Sequence, residues 1–266
     1  MSLLDFQHDS PKLITMLKIN AKYIARKVPE LTIYFWVIKL LSTALGESTS
    51  DYLVFHINPY IAVILGAIGL VVALSLQFLV RRYIAWVYWL AVVMVAVFGT
   101  MAADVLHVGL GIPYIVSTIF FSVSLAVIFI VWYKFEKTLS IHSINTTRRE
   151  LFYWAAVMTT FALGTAAGDM TASTLGLGYL LSGILFGIIF IIPGIGYWKL
   201  GWKEVFSFWF AYVLTRPFGA SFADWFGKPI LGGLGLGDEI VSLVLAVLII
   251  IFVIYLTVTR KDTKEH

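Results

Sequence analysis

The chain divides almost from end to end into apolar runs of about 20 residues, and that pattern leaves few folds open. The runs fall near residues 31–50, 57–80, 83–106, 112–133, 150–172, 177–198, 203–226 and 238–259. As a helix, each is long enough to cross a hydrocarbon core of about 30 Å. In lipid a segment must satisfy its own backbone hydrogen bonds, so each run is expected to be helical. None shows the period-2 alternation of a membrane β-barrel. Composition agrees: 60% of residues are hydrophobic and 13% charged, where a soluble domain carries about 25% charged. The expected fold class is all-α integral membrane, with about eight transmembrane helices.

The charges are distributed unevenly. The N-terminal arm carries Lys12, Lys18, Lys22, Arg26 and Lys27. Three breaks between runs carry Arg81, Arg82, Lys134, Lys137, Arg148, Arg149, Lys199 and Lys203, and the tail carries Arg260, Lys261 and Lys264. Sixteen of the 19 basic residues thus fall on one side. The opposite loops hold only Lys228, and Lys39 and Arg216 lie inside runs. The positive-inside rule then expects both termini in the cytoplasm. Leu13, Ile14, Leu17 and Ile19 interleave with the arm's lysines, which predicts an amphipathic helix on an anionic membrane surface. Residues 1–28 form that arm, 29–260 a single transmembrane bundle and 261–266 a cytoplasmic tail. Basic residues confined to short loops argue against nucleic-acid binding. With no cysteine, thiolate metal sites and disulfides are excluded.

The bundle is a fourfold repeat. Phe35-Trp36, Tyr88-Trp89, Tyr153-Trp154 and Phe208-Trp209 lead to Gly46, Gly99, Gly164 and Gly219, and then to Asp51, Asp104, Asp169 and Asp224. The pattern is aromatic-Trp-x9-Gly-x4-Asp in all four, without a gap. Repeats run over about 29–82, 83–137, 148–200 and 203–260, each with two spans, so each enters the membrane in the same sense. Such parallel repeats are related by an axis along the membrane normal. The four Asp residues are then expected at one depth, about 22 Å along the helix from the Trp. The Trp-bearing pairs are expected to form an interfacial aromatic belt.

With its Ala-Leu-Gly-Glu-Ser-Thr-Ser-Asp, Leu-Gly-Thr-Ala-Ala-Gly-Asp and Arg-Pro-Phe-Gly-Ala-Ser-Phe-Ala-Asp stretches, the sequence resembles an uncharacterised bacterial family of "membrane-anchored" proteins built of tandem repeats. The resemblance runs from about Val28 to Arg260. It implies a multi-pass protein of the bacterial inner membrane and carries over no activity.

Function must therefore come from the residues. Asp51, Asp104, Asp169 and Asp224, with Glu47, are the candidate ion-binding and metal-ligating groups. An ionised carboxylate inside a span costs about 2.5–3.5 kcal/mol on insertion scales. Lys39 and Arg216 are the basic residues within runs, leaving the acids short of three positive charges. Bound cations or protons supply the difference on one reading; on the other, each Asp caps a loop at the outer interface. Lys39, Thr43, Glu47 and Asp51 share one helix face, and Lys39 and Glu47 are expected to find partners on other helices. Arg216 is a candidate counter-ion for a neighbouring repeat's Asp, and Pro217 beside it is expected to break the helical ladder. Pro193, Gly194 and Gly196 are expected to bend the sixth helix. The repeated Gly and its small neighbours predict close helix packing. Ser48, Thr49, Thr100, Thr165 and Ser221 would add neutral oxygens to a hard-cation site. Met101 and Met170, and His56 and His107, lie near the Asp positions. The methionines are expected to be packing filler and the histidines ordinary interfacial residues.

No phosphate loop, nucleophile elbow or zinc spacing is present, so no enzyme and no resident cofactor are expected. The expected function is secondary transport of an inorganic cation, divalent and manganese-like, in exchange for protons. The alternatives are transport of a small organic or cationic molecule, or a non-transporting scaffold or sensor. The expected partners are the lipid bilayer and the transported species. Eight helices either close one bundle alone or share a homodimer interface.

Overall fold

The computed structural model describes residues 26–263. The amphipathic arm, apart from Arg26, Lys27 and Val28, and the last three residues of the tail lie outside them. Among the described residues eight α-helices follow one another: α1 (Ile33–His56), α2 (Pro59–Leu79), α3 (Ala85–Asp104), α4 (Tyr114–Glu136), α5 (Thr147–Asp169), α6 (Gly178–Lys199), α7 (Glu204–Gly227) and α8 (Asp238–Thr259). No strand occurs among the described residues.

Local chemistry sets the helix starts. The Thr32 hydroxyl accepts from the Phe35 amide and the Thr146 hydroxyl from that of Arg149. Asn58 caps α2 ahead of Pro59, whose missing N–H costs nothing at a first helical position. Gly237, at φ +92°, turns the chain into α8, and Asp238 and Glu239 lie against that helix's positive end.

Six of the eight, α2 to α6 and α8, are long and apolar enough to cross a membrane, the signature of a multi-pass membrane protein. α1 and α7 fall short because they carry Lys39, Glu47 and Asp51, and Arg216 and Asp224, all of them buried. Both α6 and α7 run on through Pro193 and Pro217; each proline, having no N–H, interrupts the hydrogen-bond ladder without ending the helix.

The odd-numbered helices, the first of each repeat, form a closed inner ring in the order α1, α3, α5, α7 and back to α1. Each even-numbered helix packs chiefly on the inner helix of the following repeat: α2 on α3, α4 on α5, α6 on α7, and α8 returns to α1. That last contact joins the first and last helices of the described residues. The Glu30 amide donates to the Asp262 carbonyl at 2.9 Å, the Tyr83 hydroxyl to the Asp262 carboxylate, and the hydroxyls of Tyr34 and Tyr255 meet at 3.3 Å.

The repeated residues make the ring. A methyl group on Gly46 would collide with Ala96, on Gly99 with Phe161, on Gly164 with Arg216 and on Gly219 with Thr43. In every case the partner stands three residues before the glycine of the next repeat, so one contact recurs four times around the axis. Here glycine's value is the missing Cβ, which lets neighbouring backbones approach.

The aromatic pairs form a second closed ring. Phe35 meets Trp89 at 5.7 Å between ring centroids, Tyr88 meets Trp154 at 5.8 Å, Tyr153 meets Trp209 at 6.1 Å and Phe208 meets Trp36 at 5.9 Å. All but Trp36 are buried, and the Tyr88 and Tyr153 hydroxyls lie 2.5 Å apart. The expected interfacial belt is corrected accordingly: these rings pack around the axis, inward from lipid. Their spacing coincides with that of a belt because both fall near a helix end.

Candidate functional site

Beyond the aromatic ring the interior turns polar, layer by layer. Lys39, on α1, comes first. It is buried, its Nζ lies 3.9 Å from the Phe161 ring centroid and 4.3 Å from that of Tyr212, and no hydrogen bond reaches it. The partner expected for it on another helix is therefore a pair of aromatic faces rather than a carboxylate.

Arg216 forms the next layer. It is fully buried. Its Nη2 donates to Glu47 Oε2 at 2.5 Å, to Thr165 Oγ1 at 2.8 Å and to Thr100 Oγ1, and its Nη1 donates to the Thr43 carbonyl at 3.1 Å. Glu47, Thr100 and Thr165 are the residues that follow the repeated glycine in repeats one, two and three. One guanidinium from repeat four thus reads the same position of the other three. Two expectations are corrected. Arg216 pairs with Glu47 and not with an Asp, because it sits one turn short of the Asp level. Of the hydroxyls expected to add neutral oxygens, Thr100 and Thr165 accept from Arg216 instead, while Ser48 donates to the Ala44 carbonyl at 3.2 Å.

The Asp layer follows, and it is split in two. Lys228, four residues after Asp224 and just beyond α7, places Nζ 2.8 Å from Asp51 Oδ2 and 2.8 Å from Asp224 Oδ1. Neither contact has hydrogen-bonding angles, since both oxygens lack a directed partner, so the attraction is ionic. Glu47, Asp51 and Asp224 each bring one oxygen to within 4.8 Å of the others. On the other side of the axis, Asp104, His107 and Asp169 do the same with one ligand atom each. Among the described residues no Lys or Arg forms an ion pair with Asp104 or Asp169.

The sequence reading overlooked Lys228 as a site residue. The signal was present: it is the one basic residue on its side of the chain and lies at i+4 from a candidate Asp. His107, expected to be an ordinary interfacial residue, is buried beside two acids, whereas His56 is exposed and bonds to the Tyr52 carbonyl at 2.8 Å. Met101 packs on Gly66 in an apolar cluster and is core filler.

Four stretches, residues 34–83, 87–138, 152–200 and 207–262, match the family model of a repeat of unknown function, DUF347. They cover most of the sequence, and the chain belongs to that family. This is the uncharacterised repeat family that the spacing of Trp, Gly and Asp resembles. No curated protein and no solved structure matches the chain.

Proposed function

We propose that this protein is a secondary transporter of an inorganic cation, with all eight helices spanning the bacterial inner membrane and both termini in the cytoplasm. One observation carries the reading. Among the described residues, of the five acids inside the ring, Glu47 has Arg216, and Asp51 and Asp224 share Lys228, but no Lys or Arg pairs with Asp104 or Asp169. Lys39, the remaining interior base, is turned toward aromatic rings. Two bases facing five carboxylates leave three without a balancing charge, and such a membrane interior is suited to exchange protons or metal cations for the missing charge. Parallel repeats around one axis support an exchange site at the centre of the bundle. The proposal is of a carrier without a catalytic step, its partners being lipid and the carried ion.

Cation flux into proteoliposomes tests it, with manganese, magnesium, calcium and sodium supplied in turn and a proton-sensitive dye inside. Movement of one ion above protein-free vesicles is expected. Folded protein that moves none of them would overturn the reading.

A second reading has its own observation. At the aromatic-ring end a cavity of about 870 Å³ opens between α1, α6 and α7. Trp36, Phe190, Trp198 and Phe208 line it together with Glu30, which pairs with Arg26, and Glu204, which lies 2.8 Å from His142. Aromatic faces beside carboxylates suit an organic ammonium ion, so transport of a small organic cation is the alternative to test in the same vesicles.

A further inference from the structure

Repeats two and three end their inner helices differently from repeats one and four. Directly after Asp104, α3 widens into a π-helical turn, Val105–Gly109, and directly after Asp169, α5 does the same at Met170–Thr174. α1 and α7 stay α-helical past Asp51 and Asp224. Turns of this kind are rare and are frequent at functional sites.

The first of these turns contains His107, which is 7% exposed. Its Nε2 lies 2.5 Å from the Ser117 hydroxyl oxygen at the start of α4. That hydroxyl has a single proton; when the Tyr114 carbonyl, 3.0 Å away, takes it, Ser117 accepts from His107 Nε2–H and the ring's other nitrogen carries the lone pair. The other nitrogen, Nδ1, is left with a bare lone pair, and it is buried without a hydrogen-bond partner. A ring nitrogen fixed in this way by a bond at its far side is the arrangement of a metal-ligating histidine.

We propose that Asp104, Asp169 and His107, which each bring one ligand atom within 4.8 Å of the others, form a binding site for a first-row divalent transition-metal ion, with the unpartnered Nδ1 as the ligand nitrogen and Ser117 as the residue that positions the imidazole. The inference rests on the cation-transport reading and specifies its cargo. Two carboxylates alone suit magnesium or calcium; an added imidazole nitrogen shifts preference toward manganese, iron, cobalt or zinc. Three protein ligands leave coordination positions open to water, which suits an ion that must be released.

The test uses full-length protein in detergent with Mn²⁺ as the probe. Electron spin-echo spectra of bound Mn²⁺ should show modulation from one imidazole nitrogen, and this needs no variant. His107→Gln should abolish the modulation. Ser117→Ala should weaken Mn²⁺ binding by about 10- to 100-fold while keeping the modulation, and Ser117→Thr should restore affinity. Bound Mn²⁺ without nitrogen modulation, no Mn²⁺ binding at all, or equal competition by Mg²⁺ would overturn the site. If a cation crosses proteoliposomes while Mn²⁺ shows no nitrogen contact, the site falls and the transport reading stands. If the nitrogen contact is present but no cation crosses, the site stands and the transport reading falls.

Discussion

Arg216 and Glu47 lie 169 residues apart in the sequence and meet at 2.5 Å inside the ring. They come from the last repeat and the first, so their contact exists only because the four inner helices close on themselves. Arg216→Met should strand a buried carboxylate at a cost of about 3–5 kcal/mol, and adding Glu47→Gln should recover most of it. Thermal unfolding of the full-length protein in detergent, run as a double-mutant cycle, measures the coupling. Additive losses would mean that the two groups do not depend on each other.

The fourfold glycine contact makes a second prediction. Gly219→Ala places a methyl group against Thr43 and 3.0 Å from the Leu40 carbonyl, and the forced separation of α7 from α1 should cost about 1–3 kcal/mol. Gly194→Ala, in α6, meets nothing within 4 Å and should be neutral or stabilising by up to about 1 kcal/mol through helix propensity. Equal unfolding temperatures for the two variants would contradict the account of the ring.

A third prediction concerns the seam where Asp262 meets Glu30 and Tyr83. Asp262 is 2% exposed, and burial holds its carboxyl above the ordinary carboxylate range, with the Tyr83 hydroxyl bond opposing. A raised value in the folded state favours the protonated form. The contribution of this group is therefore full below the unfolded value of about 4 and is lost as pH rises through the raised one. Asp262→Asn cannot titrate, so the stability difference between wild type and this variant should move in the variant's favour as pH rises through that window. A difference that stays constant with pH would remove Asp262 from the seam's energetics.

How much of this was legible in the sequence follows from what repeats can encode. The spacing of Phe35-Trp36, Gly46 and Asp51, repeated four times, carried the helices, their common orientation and the acids that cluster. It could not say which repeat touches which, because that is decided when α8 returns to α1. The partners of Arg216 therefore stayed hidden, although Glu47, Thr100 and Thr165 occupy one register position. The aromatic pairs were misplaced because lipid belts and inner rings have the same sequence period. Lys228 was missed because it lies past the last repeated residue, where the repeat gives no guidance. The role of His107 depends on a π-helical turn and on Ser117 across a helix boundary, and neither has a marker in spacing.

The central claim is that the uncompensated acids Asp104 and Asp169 carry the cation. The direct measurement is ion flux in proteoliposomes holding either wild type or the Asp104→Asn/Asp169→Asn variant, with folding of both checked by thermal unfolding. The account predicts a folded variant whose flux falls to that of empty vesicles. A folded variant that moves the ion as fast as wild type would contradict it and return these two residues to a structural role at the ends of α3 and α5.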